Sequence, residues 1–458
     1  MQDPVDICLD LGDLSCSRYP AFLDPGFIAT VAWELGLVWK NTPLALPNLV
    51  ACFARQVLRG NLSMPELARL CGSRFTPEAY CTARGKLDIA FLRGLLQRIR
   101  RVGDGSPGLW KGHRLWHMDG TGISMPDTPA LQQYFGQPSA QKPGCGFPVA
   151  HLLCLFDAGT GLLEDCIIAP LRTHDLAGAA QLHDQLGAGD ILIGDCAFES
   201  YAHLALLIAG GRHGVFPVHQ RRLIDFRCKR RRRSRGKKPV SGRAPKAKAQ
   251  VLYDREVLRK CGSRDHIVRW RKPSSKPSWI SQGQYDALPQ TIVVRELRRL
   301  VQMPDGRKYE ITLVTSLLEE TLYPAEELLQ VLKARWGVEI NLRHLKTTMK
   351  MDVLRSLTVD GVKRELWMYA IVYNAVRLVM LEAAAKQNVP VDRLSFADAL
   401  YWVRHGDLAR PLPKLQIVPY RPDRVEPRRN KRRNDRYGLL TKPRWTMRKA
   451  LLRKGVRR

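Results

Sequence analysis

The chain runs to 458 residues, 45% of them hydrophobic and ten of them tryptophan. That is enough for about two to four folded domains and too apolar for a disordered chain. Its 74 Lys and Arg against 43 Asp and Glu leave a net charge of +31, which points to a polyanion as partner, nucleic acid first and an anionic membrane surface second.

At the N-terminus, "MQDPVDICLDLGDLSC" is acidic and lacks the basic opening of a secretory signal. No apolar run approaches the ~18 residues of a membrane span. The eleven cysteines include no C-x-x-C pair, so they fit neither a zinc site nor a disulfide framework and read as small buried hydrophobes in a reducing intracellular compartment. Further on, "LSMPELARLCGSRFTPEAYCTARGKL" (62–87) predicts two short helices around a Gly-containing turn, with Ser63 and Thr76 as N-caps. The pattern suits a DNA-reading helix-turn-helix and equally any pair of packed helices.

From 114 to 220 the pattern predicts an α/β layer. "RLWHMD" reads as a strand ending at Asp119, and "FPVAHLLCLFD" and "LLEDCIIAPL" as a hairpin. Next come the helix "DLAGAAQLHDQLG", the strand "DILIGD" ending at Asp195, the helix "ESYAHLALLIAGG" and the strand "HGVFPVHQ". Residues 221–248 then hold 14 Lys and Arg against one acid, and the tail 421–458 holds 16 against three. These two runs carry 26 of the 31 net charges, so the body is an ordinary enzyme-like chain. Each run reads either as a solvated segment or as a phosphate-binding arm acting by counterion release; Trp445 sits among the cations of the tail. Between them "AQVLYDREVLRK", "DHIVRWRK", "QTIVVRELRRLVQM" and "KYEITLVTSL" predict strands, and helices return from 325 onward.

Placed on one helix, residues 331–350 put Val331, Val338, Leu342, Leu345 and Met349 in a single stripe about 60° wide that must face a core. Arg335, Glu339, Arg343, Lys346 and Lys350 share a wedge of about 80° beside it. Glu339 is its lone acid, and an exposed ion pair with Arg335 or Arg343 would contribute only ~0.3–0.5 kcal/mol. Asp119 and Asp195, each read at a strand end, serve either as turn and cap residues or as parts of a site, since ligand sites gather at strand ends in such sheets. Two aspartates and a glutamate make an all-oxygen donor set suited to Mg²⁺ or Mn²⁺.

These stretches resemble the DDE transposases of bacterial insertion sequences, in the insertion-sequence-four family. "MDGTGISMPDTPALQQYFG" is similar to the first-aspartate motif and "GDILIGDCAFES" to the second. Arg335, Glu339 and Lys346 fall at the spacings of the third motif, with Leu332 where that motif has Tyr. "LPQTIVVRELRR", "YEITLVTSL" and "RELWMYAIVYNAVR" agree as well, so the resemblance spans about 113–380.

The resemblance implies an α/β fold: an RNase H-like catalytic core with a mixed sheet, interrupted by a β-rich insertion, plus a helical N-terminal DNA-binding region. The expected domains are 1–105 (helical), 106–220 (first part of the core), 221–320 (basic, β-rich insertion), 321–400 (second part of the core) and 401–458 (basic tail). It implies that Asp119, Asp195 and Glu339 hold two Mg²⁺ ions, Mn²⁺ substituting, for strand cleavage and strand transfer. Arg335 and Lys346 would grip the DNA backbone, with Arg343 and Lys350 beside them. Trp336 would stack on a displaced base or pack in the core, and His117 and His174 are structural or assisting. The implied partners are double-stranded DNA, as terminal inverted repeats and target, and a second copy of the chain; no membrane is implied. The implied location is the bacterial cytoplasm, on the nucleoid. Leu332 leaves hairpin processing of the ends open. The competing reading is a domesticated or inactive relative acting as a non-catalytic DNA-binding protein.

Overall fold

A computed structural model describes residues 25–103, 108–219, 222, 224–226, 255–302, 308–352, 354–405, 411–419 and 440–453. In chain order its elements are α1 (Pro25–Glu34), α2 (Leu46–Leu58), α3 (Met64–Leu70), α4 (Pro77–Gly85), α5 (Ile89–Val102), β1 (Leu115–Ser124), α6 (Pro129–Phe135), β2 (Val149–Asp157), β3 (Leu163–Pro170) and α7 (Asp175–Leu182). There follow β4 (Ile191–Ile193), α8 (Tyr201–Ala209), β5 (His213–Pro217), β6 (Arg255–Gly262), β7 (Asp265–Arg271), α9 (Gln282–Ala287), β8 (Thr291–Gln302) and β9 (Lys308–Thr315). The last are α10 (Ala325–Ala334), α11 (Trp336–Arg343), α12 (Val359–Gln387), α13 (Phe396–His405) and α14 (Arg444–Arg453). The nine strands order as β3-β2-β1-β4-β5-β9-β8-β7-β6, and the chain divides into two compact units.

The first unit comprises residues 1–108, 119–173 and 337–458. Its centre is α12, whose residues Leu366 to Met380 are all buried. Asn374 at its middle uses its whole amide on one strand residue: Oδ1 accepts from the Leu163 N–H and Nδ2 donates to the Leu163 carbonyl, both at 2.8 Å. Tyr373 Oη donates to the Gly161 carbonyl at 2.9 Å, and the Arg377 guanidinium reaches the Thr160 carbonyl. Gly161 has φ +68°, and a Cβ there would lie 2.1 Å from Arg377, so this hairpin turn needs glycine for both conformation and space. α12 also passes the length and hydropathy of a membrane span, which reading for uninterrupted apolar runs overlooks; 83% of that window is buried inside the protein.

Around α12 pack α2 and α5. α5 buries Phe91, Leu92, Leu95, Leu96 and Ile99, a helical stripe, and Asp88 caps it by accepting the Ala90 N–H at 2.6 Å. Its outer face sends Arg93 to Asp165 and Arg100 to Glu164 on β3. The caps expected at Ser63 and Thr76 form as read, Ser63 within a reciprocal capping box with Glu66. The turn between α3 and α4 holds Gly72 at φ +69° and Ser73 at φ +55°.

In the second unit, residues 109–118 and 174–336, the start of β1 runs parallel to β4, and β4 parallel to β5. The β-rich stretch extends this sheet: β9 joins β5 antiparallel, and β8, β7 and β6 follow as a meander. Arginine–carboxylate pairs stitch it together. Arg295 pairs with Asp265 at 2.6 Å and donates to the Tyr323 carbonyl, while Glu296 takes Arg255 and the Trp270 indole N–H. Most of the basic run and residues 420–439 of the tail lie outside the described residues.

Two expectations change here. β1 does not end at Asp119 but continues to Ser124, because Thr121 and Ile123 keep the strand alternation and Ile123 enters the first unit's core. Residues 331–350 are not one helix: α10 stops at Arg335, α11 begins at Trp336, and His344–Thr348 form a π turn. The apolar stripe is buried as expected, yet it serves two cores, Val331 in the second unit and Val338, Leu342, Leu345 and Met349 in the first.

Candidate active site

Asp119 is the fifth residue of β1, half-buried, and its Oδ1 accepts the Gly120 N–H at 2.8 Å. That bond fixes the carboxylate relative to the strand. Cys154 of β2 feels it: burial first, then the Asp119 charge, pushes the thiol well up. Glu339 stands exposed in the first turn of α11, while Val338 beside it and Leu342 below it are buried. The helix is therefore anchored by one face and offers Glu339 on the other. Lys346, in the π turn after α11, donates its ammonium to the Gly122 carbonyl of β1 at 2.7 Å. This bond ties the segment carrying Glu339 to the strand carrying Asp119, both within the first unit.

Asp195 belongs to the second unit and lies two residues past β4. Its Oδ1 accepts the Ala197 N–H at 2.8 Å and its carbonyl accepts the Phe198 N–H at 3.2 Å, a turn of the kind Asp favours. Gly194 makes the turn possible, since a Cβ there would lie 2.6 Å from the buried Phe198 ring. Arg335 is near enough to this turn to lower the Cys196 thiol, although burial and the Asp195 charge win and the thiol is pushed up overall.

The last pair between β1 and β4, within the second unit, is His117 with Ile193. In kind, three carboxylates suit a hard divalent cation. Among the described residues, no three His, Cys, Asp or Glu side chains stand grouped so as to hold a metal ion.

The other expected residues scatter. Arg343 is exposed. Lys350 is in the left-handed region at φ +64°, its side chain along Gly60 in the turn between α2 and α3 and its carbonyl accepting from Tyr369 Oη at 3.0 Å. Trp336 is 48% exposed, so it is not a core residue. Leu332, in contrast, is buried in the second unit's core. His174 caps α7 by accepting the Leu176 N–H at 3.2 Å, and His117 is buried; for His174 the structural reading holds.

Sequence reasoning missed Glu199 and misread Arg222. Arg222 counts toward the basic run, but it is buried, its Nε 2.7 Å from Glu199 Oε1 and its guanidinium 3.8 Å from the Trp270 ring centre. Burial pushes the Glu199 carboxyl up to about 7 against the pull of Arg222. No local signal marked the pair: Glu199 lies 23 residues earlier, and Arg222 stands next to Arg221 at the start of a cationic run.

With this geometry in hand, the comparisons are specific. The family model for the transposase DDE domain matches residues 110–375, more than half of the chain. The Escherichia coli K12 transposase InsG of insertion sequence element IS4 is 23% identical over 451 residues, covering 92% of this chain and 93% of that protein. The piggyBac transposase in its synaptic complex with hairpin DNA aligns with a TM-score of 0.39 and 12% identity, over 88% of this chain and 80% of that one. The resemblance read from the three motifs is therefore borne out, and the chain belongs to the transposase DDE domain family: it is a DNA transposase, of an enzyme family that uses divalent metal ions.

Proposed function

We propose that this transposase cleaves DNA at the ends of its mobile element and transfers those ends to a target duplex by cut-and-paste, with Asp119, Asp195 and Glu339 as its metal-holding acids. What carries the reading is the order of the three acids in the motifs of the matched family, together with Glu339 on a helix tied through Lys346 to the strand of Asp119 within the first unit. Two Mg²⁺ ions, replaceable by Mn²⁺, would activate the attacking oxygen and offset charge on the leaving one. The chain's own part is positional. The Gly120 and Ala197 N–H groups hold one oxygen of each aspartate, and the buried neighbours of Glu339 hold its helix.

The core in this reading is RNase H-like, and the five domains are those drawn from the sequence. Arg335, Arg343, Lys346 and Lys350 contact phosphate, and the exposed Trp336 stacks on an unpaired base. Double-stranded terminal repeats and target DNA are the partners, two copies of the chain hold the two ends, and the reaction takes place on the nucleoid in the cytoplasm.

The test replaces each acid conservatively: Asp119→Asn, Asp195→Asn and Glu339→Gln. Each should abolish Mg²⁺-dependent cleavage of a transposon-end duplex while end binding in a gel-shift assay stays within about threefold, since the lost contribution is to the transition state. Wild-type rates in all three variants would remove these residues from the chemistry. A wild-type chain that binds ends but cuts nothing in Mn²⁺ would favour the non-catalytic binder.

A further inference from the structure

We propose that α14 is a docked phosphate-binding arm, seated on the loops that follow β1 and held there by an Arg444–Asp127 anchor; this rests on DNA being the working partner. The seat is well built. The Asp127 carboxylate is almost fully buried, its Oδ2 accepting Arg444 Nε at 2.7 Å and its Oδ1 accepting Gln132 Nε2 at 2.9 Å. Gln132 goes on to the Gly146 carbonyl, and Gln137 Oε1 accepts the Gly144 and Gly146 N–H groups. The Arg444 guanidinium lies 4.9 Å from the Phe147 ring centre. Pro443 rests against Gly144, whose φ is +76° and whose missing Cβ would be 3.0 Å from the proline. A buried, doubly bonded carboxylate holding an arginine fixes where a helix starts, which a merely solvated tail does not need.

Beyond Arg444 and the half-buried Trp445 the helix lies exposed from Thr446 to Arg453, and it contains no acid. Arg448, Lys449 and Arg453 project from it exposed. Held cations on an exposed helix match a phosphate backbone in charge and, lacking any base-reading geometry, would bind without sequence preference. Exposed Met447, Leu451 and Leu452 give the same helix some membrane-surface character, and the experiment separates the two.

The full-length protein is titrated with a random-sequence duplex, without metal, across a salt series. Replacing Arg448, Lys449 and Arg453 together by Gln should make the slope of log K against log salt shallower by about 2–3, at ~0.9 for each phosphate no longer neutralised. Asp127→Asn keeps every arm cation and removes a negative charge, yet should weaken binding about threefold to tenfold, because the arm loses its seat. An unchanged slope in the triple variant, or equal or tighter binding by Asp127→Asn at an unchanged melting temperature, would overturn the proposal. So would a triple variant that keeps duplex binding and loses binding to anionic lipid vesicles. Failure of wild type to bind any duplex would instead sink the DNA reading on which this rests.

Discussion

Lys346 has a partner in the fold that its place in a sequence motif does not reveal. The spacing of the third motif makes it a phosphate contact; the fold adds a bond from its ammonium to the Gly122 carbonyl, three residues beyond Asp119. Lys346→Met should leave that carbonyl without its donor, at about 1 kcal/mol, and should slow cleavage at saturating DNA at least tenfold, with Lys346→Arg partly restoring it. Single-turnover rates check this, and an unimpaired Met variant would mean that the tether does not matter. The caps at Ser63 and Thr76 were legible because capping is local, decided within four residues. Arg222 was not, because its partner Glu199 lies far back in the chain and nothing in a cationic run marks one member as buried. A second residue-scale test concerns His183 and His203, stacked with Nε2 atoms 2.9 Å apart. Burial pulls their pKa values down to about 2 and about 4. The folded state thus refuses protons that the unfolded chain accepts below about pH 6.5, so this stability is whole above that pH and is lost as pH falls through about 4. His203→Gln, whose amide can still reach the Phe198 carbonyl, should shrink the stability difference between pH 7 and pH 5 by about 2 kcal/mol, measured by urea unfolding at both pH values.

The elements were legible where periodicity was strong and misread where a break leaves periodicity intact. β2, β3, β7, β8 and β9 form within a residue or two of the expected strands because their apolar alternation is unambiguous. The 331–350 stretch looked like one helix because a break at Arg335 and a π turn at His344–Thr348 preserve an apolar residue every three or four positions. What the pattern cannot reveal is that the stripe feeds two cores. Asp119 was read as a strand end because Gly-Thr-Gly signals a turn, yet extended glycines continue β1, with Gly122 close against Val149. Gly194 makes the element-scale prediction. Its substitution by Ala drives a methyl into the Phe198 ring, and overpacking of this kind costs about 1–3 kcal/mol. Because Asp195 is the next residue, Gly194→Ala should lower the melting temperature and reduce cleavage beyond what the fraction unfolded explains. Normal kinetics in a destabilised variant would show that the turn yields away from Asp195.

At the scale of the molecule, fold and charge are separate facts about this chain. The sheet and its helices come from residues whose net charge is small, while 26 of the 31 surplus charges sit in 221–248 and the tail. A polyanion partner was therefore legible from counting alone, whereas the attachment of the charge was not, since both Arg222 and Arg444 turn out to be anchors paired with acids. The unbroken part of the first run, 227–248, holds 12 Lys and Arg and no acid, and it lies outside the described residues. If those cations meet phosphate, each neutralised phosphate contributes ~0.9 to the salt slope of binding, so deleting 227–248 should flatten the slope by several units. It should leave the metal-dependent cleavage rate at saturating DNA nearly unchanged, because affinity for the backbone and stabilisation of the reacting phosphate are different terms. Both quantities come from one preparation, by titration across salt and by single-turnover cleavage. A full slope after the deletion would assign the charge another purpose, and a lost cleavage rate would place the run in the chemistry itself.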